Sequence, residues 1–425
     1  MILLVENFLN GRLAMTKLQN KKEINVFTLL CSVIYFMSYV SRINLSAVFV
    51  AVTESGYAAK DAVALALTVC SVTYGAGQLI SGFLGDKFKP HNLIFTGFII
   101  TALMNMAVGT IGGNSVVLLW AVNGFAQSLM WPPLVKIMSD KLCEDDYKKA
   151  VVKVSWGSSC GTIAVYLLSP FIIRAIGVRF VFVISSVLAV AMCVIVKTVF
   201  DKNELFKINS VIKGKKGSGE AGEAAGFSKP AVILLVLIML AILCQGALRD
   251  GVTNWTPTYI SEIFNLDSSL SILTSVILPI FSVLSFTFVS FINRKFVKNE
   301  LVCAGVVFGI GAASAGLLLT VGGSSVVLAL ILLALLVGSM HGVNLILVCM
   351  TPAFFARYGK VSFVSGLINS STYVGAAIST YGIALFTESF GWNKTVGLWV
   401  AIAAVGTAIC IGVSRAWTSF KGKRI

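Results

Sequence analysis

The chain has 425 residues, 57% of them hydrophobic and 12% charged, with a mean hydropathy of +0.91 and a formal net charge of +15. A soluble domain carries about 25% charged residues, so this composition excludes an ordinary globular fold and indicates a polytopic membrane protein. The positive charge does not indicate a nucleic-acid partner, because the basic residues sit in short segments between apolar runs, where they set topology.

Residues 1-23 form a short basic segment with no clear small-residue cleavage site, so the first apolar run is expected to act as an uncleaved anchor. Hydropathy then predicts helical spans at 24-53, 61-84, 92-112, 115-139, 150-173, 178-199, 230-259, 268-293, 300-320, 324-355, 361-387 and 392-416. Most reach the roughly 20 residues that a bilayer core requires, and several are long enough to tilt. Twelve spans put both termini on one side. With that side inner, Lys60, Arg174, Arg179 and Lys394 fall outside and Arg42 and Arg249 fall within spans. The rest of the 33 Lys and Arg then lie inside. This asymmetry predicts cytoplasmic termini.

Residues 201-229 contain "KGKKGSGEAGEAAG", which lacks apolar periodicity and reads as a flexible cytoplasmic linker. It divides the chain into an N-terminal segment and six-helix bundle (1-23, 24-200) and a second six-helix bundle with a cytoplasmic tail (230-416, 417-425). A weak repeat supports the division: "SGFLGDKFK" at 81–89 follows span two, and "VSFINRKFVK" at 289–298 follows span eight. Two six-helix halves around a central cavity are a common transporter plan.

Arg42 and Arg249 lie at matching depth in the first span of each half. Each costs about 2.5–3.5 kcal/mol at a helix centre. If an axis along the membrane normal relates the halves, the two face each other across the cavity. Guanidinium groups suit bidentate recognition of phosphate or carboxylate. Tyr35, Tyr39, Arg42 and Ser46 recur at helical spacing and make one polar-aromatic stripe. Packing at helix contacts is the alternative use of those tyrosines, and snorkelling to the outer interface is the alternative for the arginines.

Apart from Asp250, no acid lies deep in a predicted span. Proton-coupled carriers usually hold such acids as relays, whereas anion exchange needs none. Asp250 has three open roles. It can pair with a neighbouring helix and orient Arg249, enter the site and lower its charge from +2 to +1, or couple a proton. Adjacent helical residues point about 100° apart, so it need not face the cavity of Arg249. His341 is a second candidate coupling group, with packing as its alternative. Gly82, Asp86 and Lys87 end span two as candidate gating residues, Asp86 accepting from helix N-termini or basic partners while that side is shut. Glu144, Asp145 and Asp146 beside Lys148 and Lys149 either join that gate or form a solvated loop. Pro132 and Pro133 are expected to kink span four, and Pro257 to break span seven beyond Arg249.

The nine cysteines are scattered without a CxxC pair, and His91 stands far from His341, so neither a disulfide framework, a metal site nor a cofactor is expected. No nucleophile-base arrangement suggests an enzyme.

These strings resemble the major facilitator superfamily, and within it the organophosphate:phosphate antiporter family, the glycerol-3-phosphate and hexose-phosphate exchangers. "YFMSYVSRINLSAV" (35–48) is similar to that family's first helix and "LRDGVTNWTPTYI" (248–260) to its seventh. "YGAGQLISGFLGDKF" (74–88), "NGFAQSLMWPP" (123–133) and "GLINSSTYVGA" (366–376) resemble the second, fourth and eleventh. The resemblance implies an all-α major facilitator fold of 12 transmembrane helices in two six-helix halves. It implies substrate contacts at Arg42, Arg249, Tyr35, Tyr39, Tyr74, Gln78, Gln127, Trp131, Cys160, Asn254 and Tyr373. The sequence departs from the glycerol-phosphate exchangers at Cys160, where they carry a histidine, at Gln78, where they carry a lysine, and at Asp250, where an uncharged residue is common.

The expected function is exchange of a phosphorylated organic anion for inorganic phosphate by a monomer in the bilayer, with a bacterial inner membrane as its place. Two alternatives stand beside it: a proton-coupled symporter of an organic carboxylate or sugar acid on the same fold, and a transporter-like sugar-phosphate sensor.

Overall fold

The computed structural model describes residues 17–202, 206, 227–265 and 277–422. Most of the expected linker at 201-229, the start of the chain and the last three residues lie outside the described residues, as does the beginning of span eight.

The described chain is helical almost throughout. In order come α1 (Lys21–Ala47, followed by a short turn of helix at Phe49–Glu54), α2 (Lys60–Lys87), α3 (Pro90–Ile111), α4 (Val116–Ser128 and Trp131–Lys141), α5 (Glu144–Ile176) and α6 (Arg179–Lys202). The second series is α7 (Lys229–Phe264), α8 (Ile277–Lys295), α9 (Glu300–Val321) and α10 (Val326–Asn344, Leu345–Met350 and Thr351–Tyr358). A last run, Val361–Gly422, is divided at Gly391, whose φ of 75° no ordinary helix residue adopts. Its parts are α11 (361–390) and α12 (392–422). Ten described helices are long and apolar enough to cross a membrane. The broken α4 and the partly described α8 complete the order.

Local chemistry explains the breaks. Pro132 and Pro133 stand at the start of the second piece of α4, where a missing N–H does least harm, and the helix is interrupted at Leu129–Met130. The expected break at Pro257 does not occur: α7 runs through it to Phe264. One proline removes one N–H bond, and neighbouring helices can re-satisfy the freed carbonyl in a membrane bundle. Asn20 caps α1 by accepting from Lys22 N–H, and Asn299 caps α9 by accepting from Leu301 and Val302. α10 ends in a π-turn and then a 3₁₀ stretch, the sort of irregularity that gathers near functional cavities.

Apolar side chains such as Leu29, Phe171, Phe288 and Tyr381 stand out around the perimeter, as lipid contact requires. Inside, small residues and polar bridges hold helices together, because apolar burial alone does not favour helix over lipid. Asn44 Nδ2 donates to Asn105 Oδ1 (2.6 Å) and to Ser185 Oγ (3.0 Å), joining α1, α3 and α6. Gln127 of α4 accepts from Ser38 Oγ (2.6 Å) and donates to Ser41 Oγ (3.3 Å) and Thr101 Oγ1 (3.2 Å).

The described ends meet on one face. Lys17 Nζ donates to the Leu142 carbonyl at the α4–α5 turn, and Lys421 reaches Glu144 at the start of α5 (3.6 Å). This is the terminal face.

Candidate functional site

A cavity of about 240 Å³ lies between the first and second series of helices. Tyr35 and Tyr39 enter it from α1, Tyr74 from α2, Trp131 from α4, Arg249 and Thr253 from α7, His341 and Asn344 from α10, and Asn369 and Tyr373 from α11.

Its aromatic wall is continuous. The Tyr35 ring lies 4.7 Å from that of Trp131 and 5.1 Å from that of Tyr39. Arg42 stands with its guanidinium carbon 4.2 Å from the Tyr39 ring centre and 4.6 Å from that of Tyr74. Tyr74 then meets Tyr373 edge-on at 4.8 Å, which carries the arc from the first series of helices to the second. Stacking of this kind is worth about 0.5–2 kcal/mol per cation–ring contact.

Arg42 is half-buried, and its guanidinium packs against Tyr39 and Tyr74, two rings of the cavity lining. Arg249 forms part of the wall, and Tyr39 and Tyr373 lie within electrostatic reach of both arginines.

Asp250 narrows the roles left open for it. Its carboxylate grips the adjacent Arg249, Oδ1 accepting from Nε at 2.6 Å and Oδ2 from Nη2 at 2.9 Å. It orients Arg249 from within the same helix, and among the described residues no partner on another helix is seen for it. The Cα–Cβ bonds diverge by about 100°, but the long arginine side chain folds back across that angle. Two of its five N–H donors are so occupied, leaving three for another acceptor. The three charges sum to +1.

The other expected contacts divide. Trp131, Tyr35, Tyr39, Tyr74 and Tyr373 all line the cavity. Gln78 is fully buried behind it, accepting from Asn369 Nδ2 (3.1 Å). Gln127 is spent on the bonds within the first six helices described above, so it does not reach the cavity. Cys160 is exposed, on the wrong side of α5, and Asn254 is exposed and outside the lining. In their places stand Ser159 and Thr253. His341 lines the cavity and meets Phe286 edge-on at 5.8 Å.

Residues not foreseen complete the site. Ser155, Ser158, Ser159 and Thr162 of α5 form a hydroxyl stripe in the lining, which also holds Asn344 and Asn369. Their spacing is that of one helix face, a signal present in "SWGSSCGT" at 155–162.

The terminal side of the cavity is shut. Asp86 accepts from the backbone N–H groups of Ser362 (3.1 Å) and Phe363 (2.8 Å), in the first turn of α11, and pairs with Lys136 at 3.3 Å. Both partner types foreseen for it are present. Beside it α2 and α11 approach so closely that a Cβ on Gly82 would lie 2.8 Å from the Ser362 carbonyl oxygen. Lys87 takes no part; its ammonium lies over the Phe83 ring. A second latch centres on Glu300, which is fully buried. It accepts from Lys148 (2.7 Å), Lys421 (2.9 Å) and Trp417 Nε1 (2.7 Å), while Lys148 also reaches Glu144 (3.0 Å). Glu144 and Lys148 thus belong to a closing network, whereas Asp146 and Lys149 form a local pair. Tyr147 Oη donates to the Cys349 carbonyl (2.5 Å), a third tie between α5 and α10.

A family model described as Major Facilitator Superfamily matches residues 31–380. Over 384 residues, covering 84% of each chain, the sequence is 23% identical to the glycerol-3-phosphate transporter of Bacillus subtilis (strain 168). A stretch of 69 residues is 35% identical to a probable hexose phosphate transport protein of Chlamydia muridarum (strain MoPn / Nigg). It covers 16% of this chain and only 15% of that protein. Among solved structures, a Major Facilitator Superfamily transporter, FucP, in the outward conformation gives a TM-score of 0.72 at 13% identity, covering 95% of this chain and 100% of that one. That likeness concerns the fold.

Proposed function

The chain belongs to the Major Facilitator Superfamily, and from that premise we propose that it exchanges a phosphorylated organic anion of the glycerol-phosphate or sugar-phosphate type for inorganic phosphate, by alternating access. The observation that carries this reading is the arginine pair. Arg42 and Arg249 come from the first helix of each series, and Tyr39 and Tyr373 lie within electrostatic reach of both. Bidentate N–H donors fit phosphate oxygens. Tyrosine hydroxyls and the α5 hydroxyl stripe suit an organic moiety rich in oxygen. The names of the relatives, a glycerol-3-phosphate transporter and a hexose phosphate transport protein, support the same class of cargo.

In this reading residues 24-200 and 230-416 are the two rocking halves, joined by 201-229, and the terminal face is cytoplasmic in a bacterial inner membrane. Asp86 and Glu300 hold the inner side shut. Cargo neutralises the buried positive charge and permits the rocking step. An empty cationic site resists it, which makes the exchange obligatory.

One observation favours a second reading. Asp250 lowers the local charge to +1, which suits a monoanion, and a carboxylate symporter on the same fold would use such a site. Counterflow separates the two. Liposomes loaded with phosphate should accumulate external glycerol-3-phosphate or glucose-6-phosphate, and liposomes without internal phosphate should not. Uptake that ignores internal phosphate and follows an imposed pH gradient establishes the carboxylate reading instead. Binding without any uptake points to a sensor.

A further inference from the structure

A second cavity, of about 320 Å³, opens near the terminal face among α1, α5 and α8, away from the aromatic site. Its lining carries Lys21, Lys149, Lys153 and Arg294 against a single carboxylate, Asp146, a net of +3. Asp146 is turned to Lys149 at 3.6 Å, and Lys153 is held loosely by Asn25 Oδ1 at 3.4 Å. The four cations are exposed, and together they set a positive potential over the cleft that attracts an anion. An independent feature points the same way. Ser290 of α8, 2% exposed, lines this cleft and its hydroxyl has no hydrogen-bond partner among the described residues. A buried hydroxyl left unpaired costs about 1–3 kcal/mol.

The setting decides which anion. The exposed indole of Trp156 lines the cleft, and exposed apolar residues follow its lining along the same helices, Leu29 next to Thr28 in α1 and Phe288 next to Thr287 in α8. Cations at one level and lipid-facing hydrocarbon just beyond make a boundary that a dissolved anion does not need. A phospholipid matches both parts. We propose that this cleft binds the phosphate of an anionic glycerophospholipid, its oxygens accepting from Lys153, Arg294 and the Ser290 hydroxyl, with its acyl chains lying along Leu29 and Phe288. Basic clefts between membrane helices recognise lipid headgroups by this chemistry.

The site spans the seam. Lys21, Lys149 and Lys153 belong to the first series of helices, and Ser290 and Arg294 to the second. They converge in the state closed at the terminal face, so a bound lipid favours that state by its differential affinity for it. The inference is independent of which cargo the central cavity carries.

Native mass spectrometry of the full chain tests it, with phosphatidylglycerol and phosphatidylcholine of identical acyl chains. The expected result is one phosphatidylglycerol retained at least about tenfold more tightly than phosphatidylcholine, and roughly thirtyfold weaker retention in the Lys153→Gln/Arg294→Gln double variant. A readout on the unaltered cleft stands beside it. Brominated phosphatidylglycerol should quench Trp156 emission, measured as the difference between the wild type and Trp156→Phe, more than brominated phosphatidylcholine does. Millimolar inorganic phosphate should not displace the lipid. Equal retention or equal quenching by the two lipids, or displacement by inorganic phosphate, overturns the proposal.

Discussion

Asp250 holds Arg249 through both carboxylate oxygens, at 2.6 and 2.9 Å, from the next position of the same helix. The pair fixes the arginine and removes one positive charge from the site. Asp250→Asn restores that charge and frees two N–H donors. A phosphate monoester passes from monoanion to dianion near pH 6, so the variant should favour the dianion. The expected outcome is a several-fold rise in the ratio of uptake at pH 7.5 to uptake at pH 5.5, measured in proteoliposomes with equal internal phosphate. An unchanged ratio would show that Asp250 does not set the charge of the site.

Arg42 meets Tyr39 and Tyr74 face-on. Lysine keeps the charge and loses both the planar stack and the fork of donors. Arg42→Lys should raise KM for the phosphorylated cargo roughly tenfold, from the loss of about 1–2 kcal/mol. Initial rates of exchange over a range of external substrate check this; a KM within twofold of wild type contradicts it.

Much of this site was legible in the sequence, and the failures have physical causes. An arginine in an apolar helix is too costly to lack a use, so Arg42 and Arg249 announce themselves, and the tyrosines share Arg42's helical face. Gln127 and Cys160 were misplaced because membership of a helix does not settle its phase: one points into the first bundle and the other outward. The role of Asp250 stayed open because backbone angles do not limit a side chain as long as arginine's. Glu300 gave no local signal, since its partners Lys148 and Lys421 stand 152 and 121 positions away. The α5 hydroxyl stripe was present in the periodicity and went unread beside the single family position at Cys160.

Gly366 packs against α2 so tightly that a Cβ there would collide with the Gln78 carbonyl oxygen and lie 2.9 Å from Gly82 Cα. These are backbone atoms and cannot yield cheaply. Gly366→Ala should therefore hinder closure at the terminal face and leave the aromatic cavity intact. Exchange is expected to fall at least about tenfold, equivalent to about 1.4 kcal/mol against the closed state. Substrate binding to the purified protein, read by calorimetry, should persist. Normal exchange would contradict the close approach.

Glu300→Gln leaves Lys148 and Lys421 without their shared carboxylate. Breaking a buried pair on one side costs about 3–5 kcal/mol, and here the loss falls mainly on the closed state. Thermal unfolding in detergent should shift down by several degrees. Accessibility of cysteines introduced at the terminal end of the central cavity should rise. A stable protein with unchanged labelling would remove Glu300 from the latch.

The most direct test is phosphate-loaded counterflow with both arginines replaced, Arg42→Gln together with Arg249→Gln, in protein shown to be folded by its retained thermal transition. The account predicts that accumulation of external organophosphate against internal phosphate disappears, while each single variant already loses most of it. Undiminished phosphate-dependent accumulation in the double variant would contradict the anion site at its root.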